Sequence, residues 1–591
     1  MQMKTLTLLC GMLALSSAWA GVRESIWPEG RMPDAQKHQI AAMTDEVKTP
    51  GFNPDQHRAA YLEWFDPPAN PNGACLILIS GGSYKNCCDV WLIKLWREKF
   101  TAEGYQCVNF VYRTPRPEGL PIYQSAWEDG QRAVRLVRSE AKSRGYDPER
   151  IGTVSMSAGS HLATLLATSS QTPAYQPVDD LDKTPCHINW AITGAIAYGV
   201  NDGAGIPNTR DGDAVDAKID PAFKFDAKTA PMCMFHGGND IYSPFASTLV
   251  YRQLRRMKVP AELHLFADRS HGFWGRDGKG DKAAGYDNWF VSAQGFLRQM
   301  NFDGKLGPEI GQGARVSSNY TAKVESLPLW PRGRMPYVST NQTYSPYLEW
   351  YLPKELKTKA IQVIVPGGGY NFCNVSGEGT PVAWEFNRRG MAAVVVKYRA
   401  PRPLNGLAKH TTAWADAQRA VRLVRRDAAA KGLDPNRIGI MGFSAGGHLT
   451  IMSATSSRHR SYWPIDEVDK ISCKLQWAFP IYPAYILTDG ADGGNRQGGN
   501  DDSAVHVPEL SFDLDTPPMC FLHGDADGYA AMGSVKTWEK LRRMGIQSDL
   551  HTLAKRGHCF QFKASEGTVS HSWVDRLWEF LNHKQMLNDL K

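Results

Sequence analysis

The sequence predicts an α/β protein made of two tandem units, each a mainly parallel sheet flanked by helices. Three observations carry that reading. The stretch Ile438 to Leu449 recurs 287 residues earlier as Ile151 to Leu162, so the chain is an internal duplication. Apolar runs of strand length alternate with helical stripes in each copy, as βαβ units require. In both copies the shared stretch passes from an apolar run through small residues into a helical pattern, a strand-to-helix turn.

The elements follow in order. Lys4, the apolar run Leu6 to Leu15 and Ala18-Trp19-Ala20 read as a secretory signal peptide over residues 1–20, which predicts an exported protein. Cys10 lies inside the apolar run, so a lipid-anchored cysteine is not expected, and no other run reaches the length of a membrane span. The first unit is expected over residues 21–302, a Gly-rich polar linker over 303–319 and the second unit over 320–591. Trp27-Pro28 to Met32-Pro33 and Trp330-Pro331 to Met335-Pro336 open the copies, followed by Tyr61-Leu62-Glu63-Trp64 and Tyr347-Leu348-Glu349-Trp350. The extra residues Ala35 to Pro54 of the first copy read as loop.

Ala74–Ile79 and Ile361–Val365 are strands, the first apolar on both faces and suited to a buried parallel sheet. Each runs into a glycine turn, Ser80-Gly81-Gly82-Ser83-Tyr84 or Pro366-Gly367-Gly368-Gly369-Tyr370. Strands Cys107–Tyr112 and Ala392–Tyr398 lead into Arg-x-Pro-Arg-Pro. Helices are expected to begin at Trp127 and Trp414, with Ala133, Val134, Val137 and Ala141, or Ala420, Val421 and Val424, on one stripe. Asp147-Pro148 and Asp434-Pro435 precede the strands that reach the shared stretch, and later strands end in His236-Gly237 and His523-Gly524.

Within the shared stretch Ser444 stands in a Gly442-x-Ser444-x-Gly446 pattern, whose small flanking residues let a strained serine sit on the turn with its hydroxyl outward. Ser157 is its counterpart. Asp240 and Asp527 each follow their serine by 83 residues, and His271 and His558 each follow their aspartate by 31. Each of these acids and bases sits just past a strand, where an open α/β sheet gathers a site. The chemistry needs these types: histidine takes the proton that makes serine nucleophilic, and aspartate fixes the histidine tautomer and stabilises imidazolium. The order Ser, Asp, His is that of α/β-hydrolases. Oxyanion donors are assigned to the N–H of Ala158 or Ala445 and to one loop amide, Gly82 or Ser83 in the first copy and Gly368 or Gly369 in the second. Asp525 is a rival acid, but its counterpart is Gly238. His161 and His448 read as helix-packing groups.

Each half resembles bacterial acetylxylan-esterase and feruloyl-esterase-like carbohydrate esterases, on Pro366 to Tyr370, Tyr398-Arg399-x-Pro401, Asp434-Pro435-x-Arg437-Ile438-Gly439, Gly442 to Leu449 and His523-Gly524-x-x-Asp527. The resemblance implies metal-free hydrolysis of acyl esters, often acetyl groups on glycans, through an acyl-enzyme, with acylated carbohydrate as partner. The first copy departs from the pattern at Ser80, Ser83, Ser155 and Ser160. A serine peptidase of prolyl-oligopeptidase type and a catalytically silent glycan-binding half are the alternative readings.

Other classes are disfavoured. Charged residues make up 21% and hydrophobic ones 42% of the chain, an ordinary globular balance. The net charge of +7 is scattered, with Arg255-Arg256 and Arg542-Arg543 read as solvated helix faces, so no nucleic-acid partner is expected. No Cys-x-x-Cys pair or histidine cluster suggests zinc, and no metal or cofactor is expected. Cys87/Cys373, Cys186/Cys473 and Cys233/Cys520 recur in the two copies, with pairing and oligomeric state left open.

Overall fold

The computed structural model describes residues 22–35, 59–65, 70–87, 90–201, 216–272, 288–303, 323–342, 344–404, 406–488, 504–560 and 572–587. The signal peptide, almost all of the linker and most of the Ala35 to Pro54 loop lie outside the described residues. The first half supplies β1 (Val22–Ser25), β2 (Tyr61–Trp64), β3 (Cys75–Ile79), β4 (Gln106–Val111), β5 (Ile151–Met156), β6 (Trp190–Gly194), a short pair β7 (Val200–Asn201) and β8 (Lys218–Ile219), then β9 (Met232–Gly237) and β10 (Ala261–Phe266). The second supplies β11 (Lys323–Pro328), β12 (Tyr347–Leu352), β13 (Ile361–Val365), β14 (Ala392–Lys397), β15 (Ile438–Phe443), β16 (Trp477–Ile481), the short pair β17 (Leu487–Thr488) and β18 (Val505–His506), then β19 (Cys520–Gly524) and β20 (Asp549–Leu553).

Sixteen of these strands form one sheet in the order β1-β2-β4-β3-β5-β6-β9-β10-β20-β19-β16-β15-β13-β14-β12-β11. Read from either end, the order is the same set of structural equivalents. Within each half the pairings from β4 to β10 and from β14 to β20 are parallel, and only the outer strands β1, β2, β11 and β12 run antiparallel. The sequence reading expects two sheets; the structure fuses them. β10 and β20 pair antiparallel with Leu263 opposite Thr552, His264 opposite His551 and Leu265 opposite Leu550. His264 and His551 are themselves equivalents, 287 residues apart, so the join has a pseudo-two-fold axis through them. Pairing the two end strands removes the edges that would otherwise expose unpaired backbone groups.

Other contacts at this seam also match a residue with its own equivalent. Arg252 and Glu539, 287 apart, form an ion pair at 3.5 Å. Asp525 accepts from Tyr251 Oη at 2.9 Å and faces Arg255 Nε at 3.1 Å, while Arg542 donates to the Gly238 carbonyl at 2.5 Å. Arg255 and Arg542 therefore leave the solvated faces expected of them. The register of the seam brings a partner of the other half beside each, and only Arg256 and Arg543 stay exposed. Buried apolar residues on one face of the sheet form a cluster that spans both halves, including Tyr251, Leu254, Trp538, Leu541 and Leu550. The other face carries separate clusters around Trp190, Phe235 and Phe296, and around Met441, Phe479 and Leu577.

The two helices expected from Trp127 and Trp414 begin three residues earlier, at Gln124 and Thr411, because the turns that enter them are already helical at Tyr123 and His410. Their apolar stripes, including Ala133, Val134 and Val137, and Ala420, Val421 and Val424, are buried as the periodicity predicts. Arg113 and Arg399, each first in its Arg-x-Pro-Arg-Pro run, are buried against Asp129 and Asp416, which also accept from Trp27 and Trp330 at 2.7 Å. That network ties the opening landmark of each copy to its third strand-helix unit. Among the described cysteines, nine are free thiols and no disulfide forms.

Candidate active site

Ser157 and Ser444 stand between β5 or β15 and the helices Ala158–Thr168 and Ala445–Thr455. Their backbones are left-handed, with φ 58° and ψ −126° at Ser157 and φ 54° and ψ −118° at Ser444. A non-glycine residue held there stores strain, and it turns the side chain out of the stack. The helices that follow are buried along their whole length, and their apolar faces fix the turn against the sheet.

The flanking glycines differ in how much they are needed. A Cβ on Gly446 would lie 2.0 Å from the Val365 carbonyl, and one on Gly159 2.4 Å from the Ser80 carbonyl, so the helix start must pass the end of β3 or β13 without a side chain. A Cβ on Gly442 would meet the Gly446 carbonyl at 2.2 Å. The first copy nevertheless carries Ser155 there. Its hydroxyl bonds Ser160 Oγ at 3.2 Å and the Ile192 carbonyl at 3.1 Å, and Ser160 Oγ bonds the Gly194 backbone. The two substitutions of the first elbow are thus partners, each satisfying the other's buried hydroxyl.

The aspartates and histidines meet these serines in both halves. His271 Nε2 lies 2.9 Å from Ser157 Oγ, and its Nδ1 lies 2.9 and 3.0 Å from the Asp240 carboxylate. His558 Nε2 lies 2.7 Å from Ser444 Oγ and its Nδ1 2.8 Å from Asp527 Oδ2. Both aspartates are buried and also accept a backbone N–H at 2.8 Å, from Tyr242 or Tyr529. Burial alone would raise the Asp527 carboxyl, but the His523 and His558 imidazoles beside it hold it down to about 2. The serines are 5% and 8% exposed and the histidine side chains 24% and 27%, so each site opens toward solvent on its histidine side. Asp525 belongs to the seam.

Several residues that frame these sites stand in the repeated motifs, but their roles are not readable there. His236 and His523 lie beneath the aspartates; each takes a hydrogen bond from Ser247 or Ser534 at Nδ1 and donates from Nε2 to the Tyr242 or Tyr529 carbonyl. Burial lowers His236 to about 4, which keeps it neutral. The second arginine of each Arg-x-Pro-Arg-Pro run clamps the glycine turn: Arg116 donates to the Ser83 carbonyl at 3.0 Å and Arg402 to the Gly369 carbonyl at 2.8 and 3.0 Å. His161 and His448 do more than pack. Their Nδ1 atoms bond the hydroxyls of Tyr84 and Tyr370 at 2.8 Å and so tether the end of the glycine turn to the elbow helix.

The turns themselves run directly above the serines; a Cβ on Gly81 or Gly367 would come within 2.8 or 3.1 Å of the serine Cβ. Gly82 and Gly368 have φ 124° and 125°, and the next residue is left-handed in both copies, Ser83 at 56° and Gly369 at 64°. Beside the second turn lies a buried carboxylate: Glu378 accepts from Gly367 N at 2.7 Å and from Tyr482 Oη at 3.0 Å. Ala158 and Ala445 are the first residues of the elbow helices, where backbone N–H groups have no intrahelical acceptor.

A profile of the BD-FAE family matches residues 65–254 and 348–475, more than half of the chain, and one of the prolyl oligopeptidase family matches residues 414–587. An acetylxylan esterase of Xylanibacter ruminicola is 39% identical over 250 residues, which cover 41% of this chain and 46% of that protein. The esterase LipQ of Mycobacterium tuberculosis is 27% identical over 229 residues, 35% of this chain and 50% of that protein. The chain thus spans about half the length of these relatives. Among solved structures, the acetyl ester-xyloside bifunctional hydrolase of Caldicellulosiruptor lactoaceticus aligns with a TM-score of 0.38 and 24% identity, covering 46% of this chain and 100% of that one. On the match to both halves, the chain belongs to the BD-FAE family.

Proposed function

We propose that the protein is an exported serine esterase with two active sites, one in each of the units 21–302 and 320–591, that removes acyl groups, chiefly acetyl, from carbohydrate. The observation that carries this reading is the pair of unbroken Ser-His-Asp hydrogen-bond chains. His271 or His558 takes the serine proton at Nε2 as Oγ attacks the ester carbonyl, and Asp240 or Asp527 stabilises the imidazolium through Nδ1. The oxyanion of the tetrahedral intermediate is met by the N–H of Ala158 or Ala445 and by the turn amides of Gly82 and Ser83, or of Gly368 and Gly369. Gly367 is not among them, since its N–H is bound to Glu378. One such donor contributes on the order of 3 kcal/mol to the transition state. The histidine returns its proton to the departing sugar oxygen, and water then repeats the sequence on the acyl-serine to release the acid. The carbohydrate assignment leans on the name of the Xylanibacter ruminicola relative, and export on the N-terminal sequence.

The test is turnover of a chromogenic acetate and acetyl release from acetylated glycans by Ser157→Ala, Ser444→Ala and the double variant. Each single variant should retain part of the activity and the double variant none; wild-type activity in the double variant overturns the assignment. The prolyl oligopeptidase match over residues 414–587 favours a second reading, peptide hydrolysis at the Ser444 site. Cleavage of a prolyl anilide lost in Ser444→Ala, with no acetyl release, would select it.

A further inference from the structure

Behind the second nucleophile elbow, outside the reacting groups, three metal-ligating side chains converge. His410 Nδ1 and His448 Nε2 lie 3.2 and 3.3 Å from Glu509 Oε1, and the donor atoms of the three residues all fall within 4.8 Å of one another. His448 is fully buried, yet neither its Nε2 nor His410 Nδ1 makes a hydrogen bond; each meets Glu509 only at ion-pair distance. A buried imidazole nitrogen without a hydrogen bond loses its hydration uncompensated, so the arrangement needs an explanation.

The spacing supplies one. A nitrogen and an oxygen joined by a proton most often stand about 2.9–3.0 Å apart, whereas two donors sharing a tetrahedral zinc with bonds of about 2.0–2.1 Å stand about 3.3 Å apart. Both separations at Glu509 lie nearer the second. The equivalent place in the first half has the first kind: His161 Nε2 bonds Asp220 Oδ2 at 2.9 Å, and Tyr123 stands where the second half has His410. The orienting bond that a ligating histidine needs on its other nitrogen is present as well, from His448 Nδ1 to Tyr370 Oη at 2.8 Å.

We propose that the second half, and not the first, binds one divalent transition-metal ion of zinc type through His410 Nδ1, His448 Nε2 and Glu509. Two nitrogens and one carboxylate leave a fourth position, and the partial exposure of His410 and Glu509 opens it to solvent. The Lys409 ammonium, seated 3.8 Å over the Tyr485 ring, is a neighbouring cation that lowers the affinity. The ion stands outside the Ser-His-Asp chemistry; it holds the elbow helix, and through His448 the Tyr370 end of the glycine turn, to the start of the Thr411–Asp427 helix.

Two other triplets, Cys233-Glu262-His264 and Cys520-Asp549-His551, meet the same spacing criterion at the seam. Their groups are engaged elsewhere: His264 bonds Glu262 at 3.1 Å and lies 3.2 Å from His551, and Glu262 and Asp549 accept backbone N–H groups across the seam. They also contain thiols, which makes them distinguishable.

The experiment uses the full chain, stripped with chelator and titrated with zinc by calorimetry and with cobalt by absorption. One ion per chain should bind, and the cobalt form should give four-coordinate visible bands without a thiolate charge-transfer band. His410→Tyr, which installs the residue the first half already uses, and Glu509→Gln should each weaken binding by more than about tenfold, while circular dichroism stays unchanged. Should one variant fail to fold, the other decides. No binding to the wild type, affinity unchanged in a folded variant, or a thiolate band would overturn the proposal.

Discussion

Asp527 sits between two imidazoles, with His558 Nδ1 at 2.8 Å and His523 Nε2 at 3.5 Å from Oδ2, and its carboxyl is held near 2 against the burial that would raise it. A carboxyl depressed from 3.8 to about 2 stabilises the fold by about 2 kcal/mol at neutral pH, a contribution lost only as the pH falls from about 4 to about 2. It therefore stays ionised wherever the enzyme works, so an acid limb of activity does not report Asp527. Asp527→Asn removes the acceptor that fixes the His558 tautomer. Measured in a Ser157→Ala background, it should lower turnover by about 10⁴-fold with the fold intact; a loss below about tenfold would deny Asp527 its role. Ser83 holds the left-handed position that Gly369 fills in the other half. Ser83→Gly should stabilise the first half by about 1 kcal/mol, read as a raised urea midpoint, because the strain of a Cβ at positive φ is removed.

At the scale of elements, the strand-turn-helix unit does most of the placing, and it is also what the sequence makes legible. Ser157, Asp240 and His271, like Ser444, Asp527 and His558, can be read because each follows an apolar run at the sheet's carboxyl end and recurs at fixed spacing in both copies. The bracing groups are not legible in this way. Arg116 and His236 recur as Arg402 and His523, but recurrence does not say what they or Glu378 touch; only the folded loops bring those contacts about. The tolerance of Ser155 is likewise unreadable until Ser160 is seen beside it. Gly446 is the opposite case, since its missing side chain is demanded by the end of β13. Gly446→Ala should cost about 3 kcal/mol through forced displacement of the elbow and silence the second site while leaving Ser157 active, measured by urea unfolding and site-specific labelling. A stable variant with both sites active would show that the close approach has been misjudged.

The whole molecule is held as one by the seam, which no motif announces because β10 and β20 look like ordinary terminal strands of each half. Burial of titratable groups, at the seam and within each half, makes stability depend on pH. His236, His448 and His506 are lowered to about 4 by burial, so the unfolded chain takes up protons below about 6.5 that the fold refuses, at about 3 kcal/mol each by pH 4. Asp525 and Asp549, raised to about 6 by burial, act in the opposite sense and offset only part of that loss between pH 6 and 4. His264 and His551, both lowered by burial, 3.2 Å apart and facing Arg576, add to the uncancelled part. Their charging on the axis opposes folding, so the urea midpoint should fall between pH 6.5 and 4.5; a midpoint that rises on acidification would contradict this account of the seam.

That one chain carries two working copies of the same chemistry is decided most directly by reaction with a fluorophosphonate probe, followed by intact mass and peptide mapping. The account predicts two adducts per chain, one on Ser157 and one on Ser444, each abolished by substitution of its own histidine. A single adduct at saturation, or adducts on other serines, would contradict it.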